Sequence, residues 1–131
     1  MSAFVSPGVF RSLLDEFAEG WNRGEPGRMA DAFLPDGVYQ PGPFDEPLKG
    51  RQAILDYWRD VPVAQSDVAF RYGEIFVAGP WFSTEFRCTY VRRRTGESVD
   101  VRGALFCETR DGKIAEMRML WERRVAPRSV A

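Results

Sequence analysis

The sequence predicts an α+β fold: three N-terminal helices packed on a curved, mostly antiparallel sheet, forming a cone-shaped barrel around a central pocket. Three observations lead there. Residues 7–24 carry apolar side chains at helical spacing. Two further short helical stretches follow, separated by Gly and Pro signals. From Val68 onward the apolar period changes to two, with turn signals between long strands.

Ser6-Pro7 opens the first helix, with Ser as cap and Pro at the first helical position. Phe10, Leu13, Leu14, Phe17 and Trp21 form one apolar stripe, and Gly24 ends the helix. Pro26 opens a shorter helix with Met29 and Phe33 on one side, closed by Leu34-Pro35. Asp36-Gly37 turns into a strand at Val38 to Gln40. Residues 41–50, with three prolines and two glycines, read as a loop. Arg51 to Val61 is the third helix, with Ile54, Leu55, Trp58 and Val61 inward, and Pro62 stops it.

Gly79-Pro80 is a turn, Trp81 to Arg93 a long strand, and Thr95-Gly96 the next turn. Glu97 to Arg110 returns, Asp111-Gly112 is the strongest hairpin signal, and Lys113 to Arg124 is the last strand. Residues 126–131 read as a frayed tail. No repeat or linker interrupts the chain, so residues 1–131 are expected to form one domain with an ordered core over about 6–124.

Composition bounds the function. The 131 residues are 44% hydrophobic with a net charge of −1, as expected of a soluble globular chain. No apolar run approaches the ~20 residues of a membrane span, and no signal peptide is evident. The chain is therefore expected to be cytoplasmic, with no membrane partner. Arg92, Arg93 and Arg94 sit beside a turn and lack a wider basic face, so no nucleic-acid partner is expected. Histidine is absent, which removes Ser-His and Cys-His nucleophile pairs, a His base and His-ligated metals. No cofactor and no metal are expected. Cys88 and Cys107 misalign across their hairpin with either a three-residue or a two-residue loop, so they are expected to be buried free thiols rather than a disulfide.

Strand alternation assigns an inner face. Met117, Met119 and Trp121 face the helices. A two-residue turn at Asp111-Gly112 then opposes Phe106 to Met117, Ala104 to Met119 and Arg102 to Trp121. A three-residue loop, Arg94 to Gly96, places Phe82, Thr84, Phe86, Cys88 and Tyr90 inward. In this register Asp100, Arg102 and Glu108 also face inward. Arg102 is a candidate anion anchor, Asp100 its partner or a base, Glu108 a second base, and Tyr39 a hydroxyl donor. Solvated rim charges are the alternative for Asp100 and Arg102.

The pocket is expected to be lined by Phe17, Trp21, Met29, Phe33, Tyr39, Trp58, Phe82, Phe86, Tyr90, Arg102, Phe106, Met117, Met119 and Trp121. Tyr57 falls at its mouth or on the surface, and Asn22 is structural. The outer face, carrying Val91, Val99, Val101, Leu105, Cys107 and Leu120, is expected to form a homodimer.

The segments W-N-R-G-E, F-L-P-D-G-V-Y, G-R-Q-A-I-L-D-Y-W and R-D-G-K-I-A-E-M-R-M-L-W together resemble a nuclear transport factor 2-like domain of the SnoaL-like type. That superfamily includes ketosteroid isomerase, limonene epoxide hydrolase, scytalone dehydratase, polyketide cyclases and carriers. The resemblance implies a fold more than an activity. Ketosteroid isomerase positions fall here on Pro41, Phe17 and Ala104, so its base and oxyanion hole are lost. The histidines of scytalone dehydratase have no counterpart. Asp100 and Arg102 are similar to part of the epoxide hydrolase set, but its last-strand carboxylate position is Met119. Three functions stay open: an enzyme acting on a small apolar molecule, a non-catalytic binder of one, and a dimeric interaction module with a self-filled pocket.

Overall fold

In the computed structural model, which describes residues 7–128, the helices pack on one face of a seven-stranded, mostly antiparallel sheet. The elements are α1 (Pro7–Arg23), α2 (Pro26–Asp31), β1 (Phe33–Gln40), β2 (Leu48–Lys49), α3 (Arg51–Arg59), α4 (Val61–Ala64), β3 (Gln65–Tyr72), β4 (Phe76–Ala78), β5 (Trp81–Arg92), β6 (Ser98–Arg110) and β7 (Lys113–Ala126). The sheet runs β2-β1-β7-β6-β5-β3, with β4 paired to β5. Its one parallel pairing joins β1 to β7.

The stripe on α1 is buried as its spacing requires, from Phe10 through Leu13, Leu14 and Phe17 to Trp21. The expected Ser6 cap lies outside the described residues. Gly24 adopts φ 65°, the left-handed conformation that ends helices. The Glu25 N–H then bonds to Gly20 O at 2.7 Å and the Gly24 N–H to Trp21 O at 3.2 Å, which satisfies the last carbonyls. Asn22 works as expected, structurally. Its side chain accepts from the Phe70 N–H at 2.6 Å and donates to Phe70 O at 3.3 Å, tying α1 to β3.

Several boundaries differ from expectation. α2 stops at Asp31, and Phe33 opens β1 because it pairs with Ile114 of β7. The ladder breaks between Phe33 and Val38, where Pro35 has no N–H to give, and resumes at Val38. Leu48–Lys49, expected as loop, adds a short strand to β1. α3 ends at Arg59, and Pro62 lies in the first turn of α4 rather than acting as a stop. Ile54 and Trp58 are fully buried, whereas Leu55 and Val61 are half-buried.

The largest correction concerns β6. Arg110 does pair with Lys113 across Asp111-Gly112, whose φ values of 54° and 75° suit a tight hairpin. Ala115 is then an extra residue in β7, because Thr109 opposes Ile114 while Glu108 opposes Glu116. Beyond that bulge Cys107 opposes Met117, Leu105 opposes Met119 and Gly103 opposes Trp121. At the other end the β5–β6 loop has four residues, since the Arg92 N–H bonds to Glu97 O. Each register is shifted by one residue and the two shifts cancel. β5 and β7 therefore keep their expected inner faces, and only β6 turns over.

Val99, Val101, Leu105 and Cys107 consequently belong to the core, with exposures of 0–7%. They are not on an outer face awaiting a partner. Asp100, Arg102, Ala104, Phe106 and Glu108 point outward instead, and Phe106 is 40% exposed. Cys88 and Cys107 are buried free thiols. They share the inner face but oppose Val101 and Phe82, which are far apart along β5 and β6. Burial pushes the Cys88 thiol up to about 12 and that of Cys107 well above its ordinary value.

Candidate ligand pocket

The inner face encloses a cavity of about 170 Å³ beside Trp58. Its buried walls are Trp21 from α1, Tyr39 from β1, Trp58 from α3, Phe86 from β5, Val101 from β6 and Met119 from β7. Buried Pro41 adds to the wall, and more exposed residues form the rim: Tyr57, Val61, Gln65, Tyr90, Trp121 and Arg123. Eight elements thus converge on one space, and the alternation of β7 carries Met119, Trp121 and Arg123 to it in succession.

Several walls are aromatic rings with polar handles. Trp21 Nε1 donates to Gln65 Oε1 at 3.0 Å, and Trp121 Nε1 donates to Pro41 O at 2.6 Å. Tyr39 is fully buried and its hydroxyl donates to Met119 Sδ at 3.3 Å. Burial, then the neighbouring Tyr57 and Asp45, raise the Tyr39 phenol well above its ordinary value, so it stays protonated. Burial first, then Asp45 and Tyr90, raise Tyr57 in the same sense. Trp58 Nε1 is different: it is buried with no hydrogen-bond partner among the described residues. Such a donor costs roughly 1–3 kcal/mol when left unmet. Arg123 lies over the Trp121 ring, 5.8 Å from its centroid. No carboxylate stands within 4 Å of Arg123 among the described residues.

Of the residues expected at the pocket, Trp21, Tyr39, Trp58, Phe86, Tyr90, Met119 and Trp121 line it. Phe17, Met29, Phe33, Phe82 and Met117 pack in the solid part of the core. Arg102 and Phe106 lie on the outer face, as do Asp100 and Glu108, so among the catalytic candidates only Tyr39 reaches the cavity. Asp100 accepts from Arg87 Nε and Nη2 at 3.1 Å each and from Arg102 Nη2 at 3.2 Å. Those bonds, Arg87 first, hold its carboxyl below the usual range. It is a paired surface carboxylate, unsuited to act as a base near neutral pH.

Asp100 and Arg102 do line a second space, a basin of about 270 Å³ shared with Glu122, Arg123 and Arg124. Its walls are charged rather than apolar, so the smaller aromatic cavity better fits an organic ligand. Pro41, Val61, Gln65, Val101 and Arg123 also line the cavity, though the sequence did not point to them there. Arg123 was accessible by extending the β7 alternation two residues past Trp121. Gln65 was not, because it meets Trp21 only through tertiary packing.

Helices on a curved antiparallel sheet, with a pocket between them, define the nuclear transport factor 2-like fold. The model of the SnoaL-like domain matches residues 14–117, and the chain belongs to that family. Solved structures share the fold at low identity. A putative isomerase from Bacillus subtilis superposes with a TM-score of 0.80 at 21% identity, covering 93% of this chain and 90% of that one. A protein from Catenulispora acidiphila with a ketosteroid isomerase-like fold, in complex with trimethylamine, gives 0.75 at 17% identity, covering 88% and 85%. SalBIII, an epoxide hydrolase/cyclase-like enzyme of salinomycin pyran ring formation, gives 0.72 at 19%, covering 86% and 89%. No curated protein matches the chain. No described helix is long and apolar enough to cross a membrane.

Proposed function

We propose that this SnoaL-like chain is a binding protein for a small, largely apolar molecule held in the aromatic cavity. The observation that carries the reading is that cavity: about 170 Å³, walled by aromatic side chains, with the Trp58 indole N–H left without a partner. A core filled by its own side chains would leave neither the space nor the unmet donor. Among the described residues no Asp, Glu or Lys lines the cavity, and burial keeps Tyr39 protonated. Binding is thus favoured over acid–base turnover. The similarity to enzymes described as isomerase and epoxide hydrolase/cyclase keeps catalysis as a second reading, in which donors polarise a carbonyl or epoxide oxygen. The buried free thiols suit a reducing compartment and support a cytoplasmic setting.

The test is a thermal-shift screen with one-ring compounds of varied charge, on the native protein and on Val101→Leu. A ligand present at a hundredfold excess over its Kd stabilises by ~2.7 kcal/mol. The expected result is a shift in the native protein that Val101→Leu reduces by narrowing the space. No shift with any ring compound would sink the reading. The homodimer through the outer face stays a proposal, resting now on Phe106 and Leu120, 40% and 45% exposed. Sedimentation equilibrium of the native chain and of Phe106→Glu should give a dimer and a monomer, and a native monomer would refute it.

A further inference from the structure

We infer that the pocket selects a one-ring monocarboxylic acid, with its ring among the buried aromatic walls and its carboxylate on Arg123 at the rim. The inference rests on the reading of the cavity as a ligand site and adds size, polarity and charge to it.

Size comes first. A cavity of about 170 Å³ is close to the ~150 Å³ space that accommodates benzene in an engineered protein core. One six-membered ring with a short substituent fits. A fused multi-ring body does not, unless most of it stays outside.

Polarity follows from the spare hydrogen-bonding capacity. Gln65 Oε1 already accepts from Trp21, and Pro41 O from Trp121. The Tyr39 hydroxyl is committed to Met119. What remains is donors: Trp58 Nε1, buried and unmet; the Gln65 amide N–H groups; and the Arg123 guanidinium. The hydroxyls of Tyr57 and Tyr90 can donate as well. A wall rich in spare donors calls for a ligand that accepts.

Charge decides between a neutral acceptor and an anion. Among the described residues Arg123 is the cation on the cavity wall, and no carboxylate shares that wall. The carboxylates nearby are committed or exposed. Asp100 is bound by Arg87 and Arg102, Glu122 opposes Arg102 across the strands, and Asp45 sits exposed on the rim loop. Among the described residues Arg123 forms no ion pair, and its guanidinium lies over the Trp121 ring. A guanidinium held on a ring face keeps its N–H fork free for a planar carboxylate. Aromatic walls also attract methylammonium groups, but such a ligand would face Arg123 and leave the Trp58 donor unmet.

The deciding experiment is calorimetric titration at low salt with benzoate, benzamide and benzyltrimethylammonium. Native protein and the variants Arg123→Gln, Arg123→Lys and Trp58→Phe are compared. Benzoate is expected to bind at least tenfold tighter than benzamide. Arg123→Gln should remove that preference, weakening benzoate far more than benzamide, and Arg123→Lys should restore part of it. Trp58→Phe should weaken both acceptor ligands. Equal binding of benzoate and benzamide, a preference for the ammonium, or an indifferent Arg123→Gln would overturn the carboxylate assignment while leaving the pocket a ligand site. Failure of all three probes would overturn both this inference and the binding proposal beneath it.

Discussion

The inner face of the sheet is solid at one end and hollow at the other, and the difference lies in the side chains. At the solid end Phe82, Cys107 and Met117 align across β5, β6 and β7, each at most 1% exposed, with Phe10 at 4.7 Å ring separation from Phe82. Toward the hollow end the cross-strand rows read Phe86, Gly103, Trp121 and then Cys88, Val101, Arg123. Hydrocarbon side chains can interdigitate without conditions. Indoles, phenols and a guanidinium must also orient their N–H and O–H groups, and that limits how closely they fill space. A pocket forms where the core changes from Phe, Leu and Met to Trp, Tyr and Arg.

Truncation is the strongest way to test this contrast. Phe82→Ala, in the solid end, should cost about 4 kcal/mol of unfolding free energy. It should leave ligand affinity unchanged at temperatures where the variant stays folded. Urea denaturation and titration of the same sample would check both. A loss below ~1 kcal/mol would mean that the solid end is not close-packed.

A smaller effect should come from pH. The unfolded chain releases its thiol protons near pH ~8.5, whereas folded Cys88, pushed up to about 12 by burial, keeps its proton. Above pH ~8.5 the unfolded state therefore binds fewer protons and stability falls, by at most ~1.4 kcal/mol per pH unit for each such thiol. Below that pH the thiols contribute no slope. Urea midpoints between pH 7.5 and 9.5 should decline, and the decline should flatten in Cys88→Ala and in Cys107→Ala. An unchanged slope in both variants would assign the effect to other groups.

Asp100→Asn should do least. Its partners Arg87 and Arg102 are 44% and 67% exposed on the outer face, where screened ion pairs contribute little. Melting temperature and ligand titration should both match the native protein. A lost ligand response would place the outer basin, rather than the aromatic cavity, at the functional centre.

Helical spacing and Gly or Pro punctuation were enough to locate α1, the start of α3 and the Asp111-Gly112 turn, because each depends on near neighbours. The faces of β5 and β7 were equally legible from alternation. β6 was not, since its facing depends on counts made across two turns, and each count was off by one. The bulge did leave a trace: Ile114 and Ala115 are consecutive buried residues in a strand that otherwise alternates. The loop from Arg93 to Gly96 left none, because three and four residues suit the same sequence. Half of the expected pocket residues were placed at the cavity because fold and face suffice for them. Gln65 and Val101 required the full three-dimensional arrangement, and Arg102 was assigned inward only because β6 was inverted.

The parallel pairing of β1 with β7 has a consequence for how the molecule is made. Phe33 meets Ile114, and Tyr39 meets Met117, across most of the chain's length. Closing so long a loop carries an entropic cost before any contact compensates it, and non-local pairing slows folding. During synthesis α1, α2 and β1 emerge well before the strand that covers them. Until residues 113–126 leave the ribosome, Phe33 and Tyr39 lack their neighbours. Trp121 and Arg123 arrive with that same segment, so the candidate pocket takes shape only after the other described elements have emerged.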